Sequence, residues 1–272
     1  MAIASGGAAD RGDDARRARV RRQAWAFAAV AVALWAMLRL VLGPVPQWAS
    51  YHDLADTRSV LGIPRAGDVL SNVAILAAGL WGASLAARVR VDADERLAYR
   101  LLVVASIGTA IGSAVYHAAP SNATLFWDRL PMAVVLSTLL ALVLADRIDA
   151  RFGREALAPF CLVAVGGVVL WGATEAAGRG DLLLYLTVRV GTALAVLVLL
   201  ILRPGRTRGA RWLWGAVGLD VAMTLAERYD HALWAVTGET ASGHNMKHLL
   251  AGGVLACVFS WLARRTPRGS PG

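Results

Sequence analysis

Long apolar runs, separated by short clusters of arginine, acid, proline and glycine, set the pattern of this chain. A helix needs about 20 apolar residues to cross the hydrocarbon core of a bilayer. By that measure eight segments qualify: residues 23–43, 68–87, 97–118, 129–145, 157–177, 183–202, 212–227 and 244–263. The seventh is the least regular, because Asp220 and Glu227 interrupt it. Residues 1–22 combine Gly, Asp and Arg without apolar periodicity, which predicts a disordered basic tail. The run after it is too long for the apolar region of a cleaved signal peptide and lacks a small-x-small cleavage site, so it reads as a retained span. The interval 44–67 carries Trp48, Tyr51, His52, Asp53 and Asp56, and predicts an interfacial helix or cap anchored by aromatic rings. No internal repeat and no second soluble domain are visible.

Composition fixes the class. With 57% hydrophobic and 17% charged residues over 272 positions, and a mean hydropathy of +0.53, the chain has more apolar surface than one soluble core buries. The pattern is that of an all-α, polytopic membrane helix bundle. A net charge of +9 raises the question of nucleic acid, but the arginines fall in short clusters between apolar runs and not along one face. No nucleic-acid partner is expected. The tail, the second, fourth and sixth loops and the C-terminal segment hold 20 of the 28 basic residues, whereas the alternate loops hold only Arg58, Arg65, Arg129, Arg179 and Arg228. That bias places both termini in the cytoplasm. An even number of spans agrees with it. Cys161 and Cys257 each lie inside an apolar run and read as packing residues. Arg and Ala are abundant while Lys247 is the only lysine, a usage typical of a GC-rich genome and so of a bacterial plasma membrane.

The candidate chemistry lies in two short spacings. Ser113-x-x-x-His117 and His244-x-x-x-His248 each place two polar side chains on one helix face, one turn apart. With both termini inside, the end of the third span, the start of the fourth at Asp128 and the start of the eighth all meet at the outer face. Ionisable groups at that depth are costly unless they pair or face a cavity, so their convergence predicts one shared site. His117, His244 and His248 would supply three imidazoles to Zn²⁺, leaving the open fourth position of a catalytic centre. Asp128 is the candidate general base, and Ser113 the candidate donor to a developing oxyanion. The reaction class is amide or ester hydrolysis, and a site embedded in the bilayer points to a lipid substrate. Lys247 is expected to flank the site or snorkel outward, and His52 and His231 to be solvated in outer loops. Glu175, Asp220 and Glu227 either line the pocket or pair with Arg179, Arg189 or Arg228.

Ser113-x-x-x-His117, Asp128 eleven positions later, and His244-x-x-x-His248 on the last span together resemble the alkaline ceramidase family. That family belongs to a wider group of seven-helix membrane hydrolases that includes the adiponectin/progestin receptors. Ser71-Asn72 resembles the Ser-Asn pair that opens the family's first core helix. The resemblance covers residues 68–263 as a seven-helix core and makes 23–67 an added span and outer loop, while composition and charge bias leave a disordered basic cytoplasmic tail over 1–22 and a cytoplasmic C-terminal tail over 264–272. It also implies that His117, His244 and His248 bind zinc, that Asp128 acts on the attacking water and that Ser113 stabilises the oxyanion. The substrate class would be ceramide or a related N-acyl lipid drawn from the bilayer. Asp53, Asp56 and Asp68 do not follow the arrangement of the family's calcium ligands, so no calcium site is carried over. A lipid-binding receptor with a structural metal is the alternative reading, and haem ligation by histidine a third.

Overall fold

The computed structural model describes residues 6–89 and 91–266. Among these residues the chain is all α, an arrangement that satisfies every backbone donor and acceptor within the segment itself where no water is at hand. The helices are α1 (Gly6–Leu42), α2 (Ala66–Ser71), α3 (Val73–Leu85), α4 (Arg96–Ala118), α5 (Asn122–Arg147), α6 (Ala150–Ala176), α7 (Leu183–Leu202), α8 (Ala210–Arg228), α9 (Asp230–Val236) and α10 (Gly243–Arg264). Seven helical stretches are long and apolar enough to cross a membrane, counting α2 and α3 as one stretch broken at Asn72. The protein is a polytopic helix bundle.

Helices α3, α4, α5, α6 and α7 pack in sequence order, and α10 closes the ring onto α3 and α8. Residues of α3, α4, α5 and α10, among them Leu102, Leu142, Phe259 and Trp261, form the largest buried cluster. A second, around Tyr116, Leu125, Trp171 and Tyr185, fills the half of the bundle nearer the candidate site. In lipid, such helices are held less by a hydrophobic driving force than by close packing through small residues. Gly112 shows this directly. A Cβ there would press on the Trp127 carbonyl and lie 3.2 Å from the Asp128 Cα, so only glycine lets α4 and α5 come this close.

Helix α8 is helical over its 19 residues and completes the ring, but it is not among the seven apolar stretches. Arg211, Asp220, Glu227 and Arg228 break its apolar surface. It enters the bundle through its packing on α10.

The N-terminal stretch departs from expectation. Instead of a disordered tail up to residue 22, the helix of the first span reaches back to Gly6. Alanine and arginine are strong helix formers, and Arg16 pairs with Asp149 at the start of α6 at 3.3 Å. At the other end of α1, Arg39 pairs with Asp181 at 2.6 Å. The helix is thus pinned at both ends to the outside of the ring, against α6 and α7. Residues 1–5 and 267–272, parts of the two expected tails, lie outside the described residues.

Candidate metal centre

Three histidines from two helices meet at one end of the bundle. His117 lies in the last turn of α4, and His244 and His248 lie in the first two turns of α10. The start of α10 is fixed locally. The Ser242 hydroxyl accepts from the Asn245 N–H at 3.0 Å, and the Asn245 side-chain oxygen accepts from the Ser242 N–H at 3.3 Å, a reciprocal cap. The His244 N–H donates to Asp230 Oδ1 at 2.7 Å, and Asp230 Oδ2 accepts from the Ala55 N–H at 2.9 Å. One buried carboxylate therefore ties the first turn of α10 to the cap segment between α1 and α2.

The three imidazoles are buried, with exposures of 1%, 3% and 2% for His117, His244 and His248. One ring nitrogen from each lies within 4.8 Å of the others, and the ring centroids are 4.6 to 4.9 Å apart. The Nε2 atoms of His117 and His244 stand 3.2 Å apart. Two ligands each about 2.0–2.1 Å from a tetrahedral ion are about 3.3 Å from one another, so this pair already has the spacing of two zinc ligands. His117 Nδ1 is buried without a hydrogen-bond partner among the described residues.

His248 is oriented by a neighbour on α2. Ser71 Oγ donates to the Asp68 carbonyl at 3.1 Å and lies 2.7 Å from His248 Nδ1. With its proton committed to the carbonyl, Ser71 is the acceptor, which assigns the imidazole proton to Nδ1 and leaves the Nε2 lone pair free. An outer partner of this kind fixes tautomer and ring orientation in metal-ligating histidines. The donor set, neutral imidazole nitrogen in a buried cluster, fits Zn²⁺.

Ser113 and Asp128 adjoin the trio. Ser113 Oγ lies 3.5 Å from His248 Nε2. Asp128 is 8% exposed, and its carboxylate interacts with the Ser113 hydroxyl and with the charge of Lys247. The close approach at Gly112 brings Asp128 beside Ser113. All five residues singled out in the sequence are therefore at this end of the bundle, with the three histidines innermost.

Other polar residues follow expectation only in part. Lys247 flanks the site and does not snorkel outward: its charge acts on Asp128, His244 and His248, and its Nζ lies 2.5 Å from Glu227 Oε1 with the side chain 14% exposed. Glu227 also accepts from the Tyr51 hydroxyl at 3.3 Å and lies 4.0 Å from Arg189. His52 is not solvated. Its Nδ1 meets the Tyr116 hydroxyl at 3.0 Å and its Nε2 meets Asn122 Oδ1 at 2.9 Å, and the Tyr116 ring stacks against His117 at 4.7 Å. His52 thus supports the centre from one layer behind. His231 is exposed, 3.7 Å from Asp53. Asp68 is fully buried and receives the Asn245 amide at 2.5 Å, while Asp56 is held by Arg58 at 2.8 Å. The Arg58 guanidinium beside Asp56 keeps that carboxyl below the usual range.

No protein-family model, no curated protein and no solved structure matches this chain.

Proposed function

We propose that this chain is a zinc-dependent integral-membrane amidohydrolase that cleaves the amide of ceramide or a related N-acyl lipid into a fatty acid and an amine. The observation that carries this reading is the buried trio His117, His244 and His248, with ligand atoms within 4.8 Å and Ser113 and Asp128 at its edge. A zinc ion bound there would polarise a carbonyl and lower the pKa of water to about 7. The chain's own groups supply the rest. Asp128 takes a proton from the attacking water and returns it to the leaving nitrogen. Ser113 donates to the carbonyl oxygen as it gains negative charge. Ser71 keeps His248 in the tautomer that presents Nε2. The ordered pattern of serine, histidine, aspartate and two histidines, similar to that of alkaline ceramidases, supports the same chemistry.

The arginine bias supports a bacterial plasma-membrane protein with both termini cytoplasmic and the centre toward the outer face. Purified protein should contain about one zinc per chain, and His244→Ala should lose it while retaining native helicity. Lipid extracts of cells expressing wild type should lack an amide lipid that persists with His117→Ala. Protein that holds no zinc after gentle extraction and folds equally well in chelator would overturn the reading.

A further inference from the structure

One buried cation next to the centre has no hydrogen-bonded counter-ion among the described residues. Arg129 follows Asp128 on α5 and is 5% exposed, yet it forms no ion pair or hydrogen bond with any described residue. Its Nη1 is fully buried and unpartnered. Three aromatic rings surround the guanidinium, with its central carbon 4.5 Å from the Trp171 ring, 5.1 Å from Tyr185 and 5.3 Å from Tyr51. Ring faces stabilise a cation by their quadrupoles, but they leave the edge of the guanidinium, where its donors lie, unsatisfied.

The neighbouring cations are treated differently. Lys247 is paired with Glu227, and Arg189 lies 4.0 Å from the same carboxylate. Asp128 acts on Arg129 only through space, its carboxylate facing Ser113. A buried charge without a hydrogen-bonded counter-ion is unfavourable, and the fixed fork of a guanidinium matches a carboxylate in two parallel hydrogen bonds. Arg129 is therefore a preformed half of an ion pair. Tyr51, one wall of its cage, also links it to the metal centre, because the Tyr51 carbonyl accepts from the hydroxyl of Tyr116, whose ring stacks on His117.

We infer that Arg129 receives the carboxylate of an N-acyl amino acid whose amide is presented to Ser113 and the histidine trio. The inference rests on the amidohydrolase reading and names its substrate class. Asp128 and Arg129 are consecutive, with Cα atoms about 3.8 Å apart. Their side chains leave α5 in different directions, but the charge of Arg129 acts both on Asp128 and on Tyr116, whose ring meets His117, so the guanidinium lies close to the trio; in an acylated α-amino acid only one carbon separates the amide nitrogen from the carboxylate. Water adds its hydroxyl to the acyl carbon, the C–N bond breaks and the nitrogen gains a proton. The products are a fatty acid and a free amino acid. Ceramide, which is neutral, would leave the guanidinium unpaired.

The test is equilibrium binding to the full-length protein in detergent micelles by calorimetry, with N-oleoylglycine, N-oleoylethanolamine and oleate as probes. Wild type should bind N-oleoylglycine at least about tenfold more tightly than the neutral ethanolamide, the range of a charge-assisted hydrogen bond. Arg129→Gln should bring the two within about twofold, and Arg129→Lys, which keeps charge but not the fork, should retain part of the preference. Equal affinities in wild type, or a preference that survives in folded Arg129→Gln, would overturn the proposal. Oleate binding as tightly as N-oleoylglycine, with the same loss in the variant, would assign Arg129 to the released fatty acid and overturn the amino-acid headgroup. Zinc content, measured on the same samples, separates the two readings: a carboxylate preference in protein that holds no zinc supports Arg129 as an anion site and overturns the hydrolase.

Discussion

Ser71 grips His248 by the nitrogen that points away from the other two imidazoles, and through its own proton it is anchored to the backbone of α2. Removing that hydroxyl leaves all three ligands present but frees one ring to rotate and to change tautomer. Ser71→Ala should weaken zinc retention about 10- to 100-fold in a chelator competition, with the melting curve of the zinc-free protein little changed. The ligands themselves were readable from spacing alone, because two imidazoles four residues apart on a helix share a face whatever surrounds them. Ser71 was noted only for its likeness to a family motif, since nothing local tells which side chain 177 residues away will lie against it. The partner of Lys247 and the burial of Arg129 were not legible for a related reason. Whether a cation is paired depends on carboxylates brought in by other helices, and here Glu227 of α8 reaches Lys247 but not Arg129.

At the scale of the helices, hydropathy located the spans but not their ends. The stretch expected at 129–145 is helical from Asn122 to Arg147, and that at 157–177 begins at Ala150. Apolar runs mark the part of a helix that lies in hydrocarbon, whereas backbone hydrogen bonding continues into polar turns closed by caps such as Ser121 and Asp149. Asp128 belongs to such a turn, which is why the site sits inside helix α5 and not ahead of it. The approach of α4 to α5 at Gly112 had no signature, because a small residue reads the same in a loose helix and a tight crossing. Gly112→Val should push Trp127 and Asp128 away and destabilise the fold by about 1–3 kcal/mol, seen as a lower melting temperature in detergent. The cap segment offers a pH test. Arg58 holds the Asp56 carboxyl below its ordinary value, so the pair stabilises the cap at pH values above the unfolded carboxyl range. That contribution is lost as the pH falls through the lowered value. Limited proteolysis between Pro44 and Arg65 should accelerate on acidification below about pH 4, and Arg58→Gln should move the onset to higher pH.

For the molecule as a whole, the ring of helices and the added α1 give the chain an even number of passes if α8, for all its charge, also crosses. Sidedness can be read chemically. In a background with Cys161 and Cys257 replaced, Val236→Cys, at an 84% exposed position at the end of α9, should react with an impermeant maleimide in intact cells. Arg203→Cys, at the other end of α7, should react only after permeabilisation. The reverse result would place the histidines toward the cytoplasm. The charge bias of the loops predicts this sidedness, whereas nothing local predicts the docking of α1 on α6 and α7, since its anchors Asp149 and Asp181 lie more than a hundred residues downstream.

Of the histidines that meet in the bundle, His117 and His244 are separated by 127 positions along the chain, and two of the three belong to α10. During synthesis, an intermediate that has inserted α1 to α8 carries, of these three, His117 alone. A fragment that ends before α10 therefore lacks two of the three imidazoles that the proposed zinc would need.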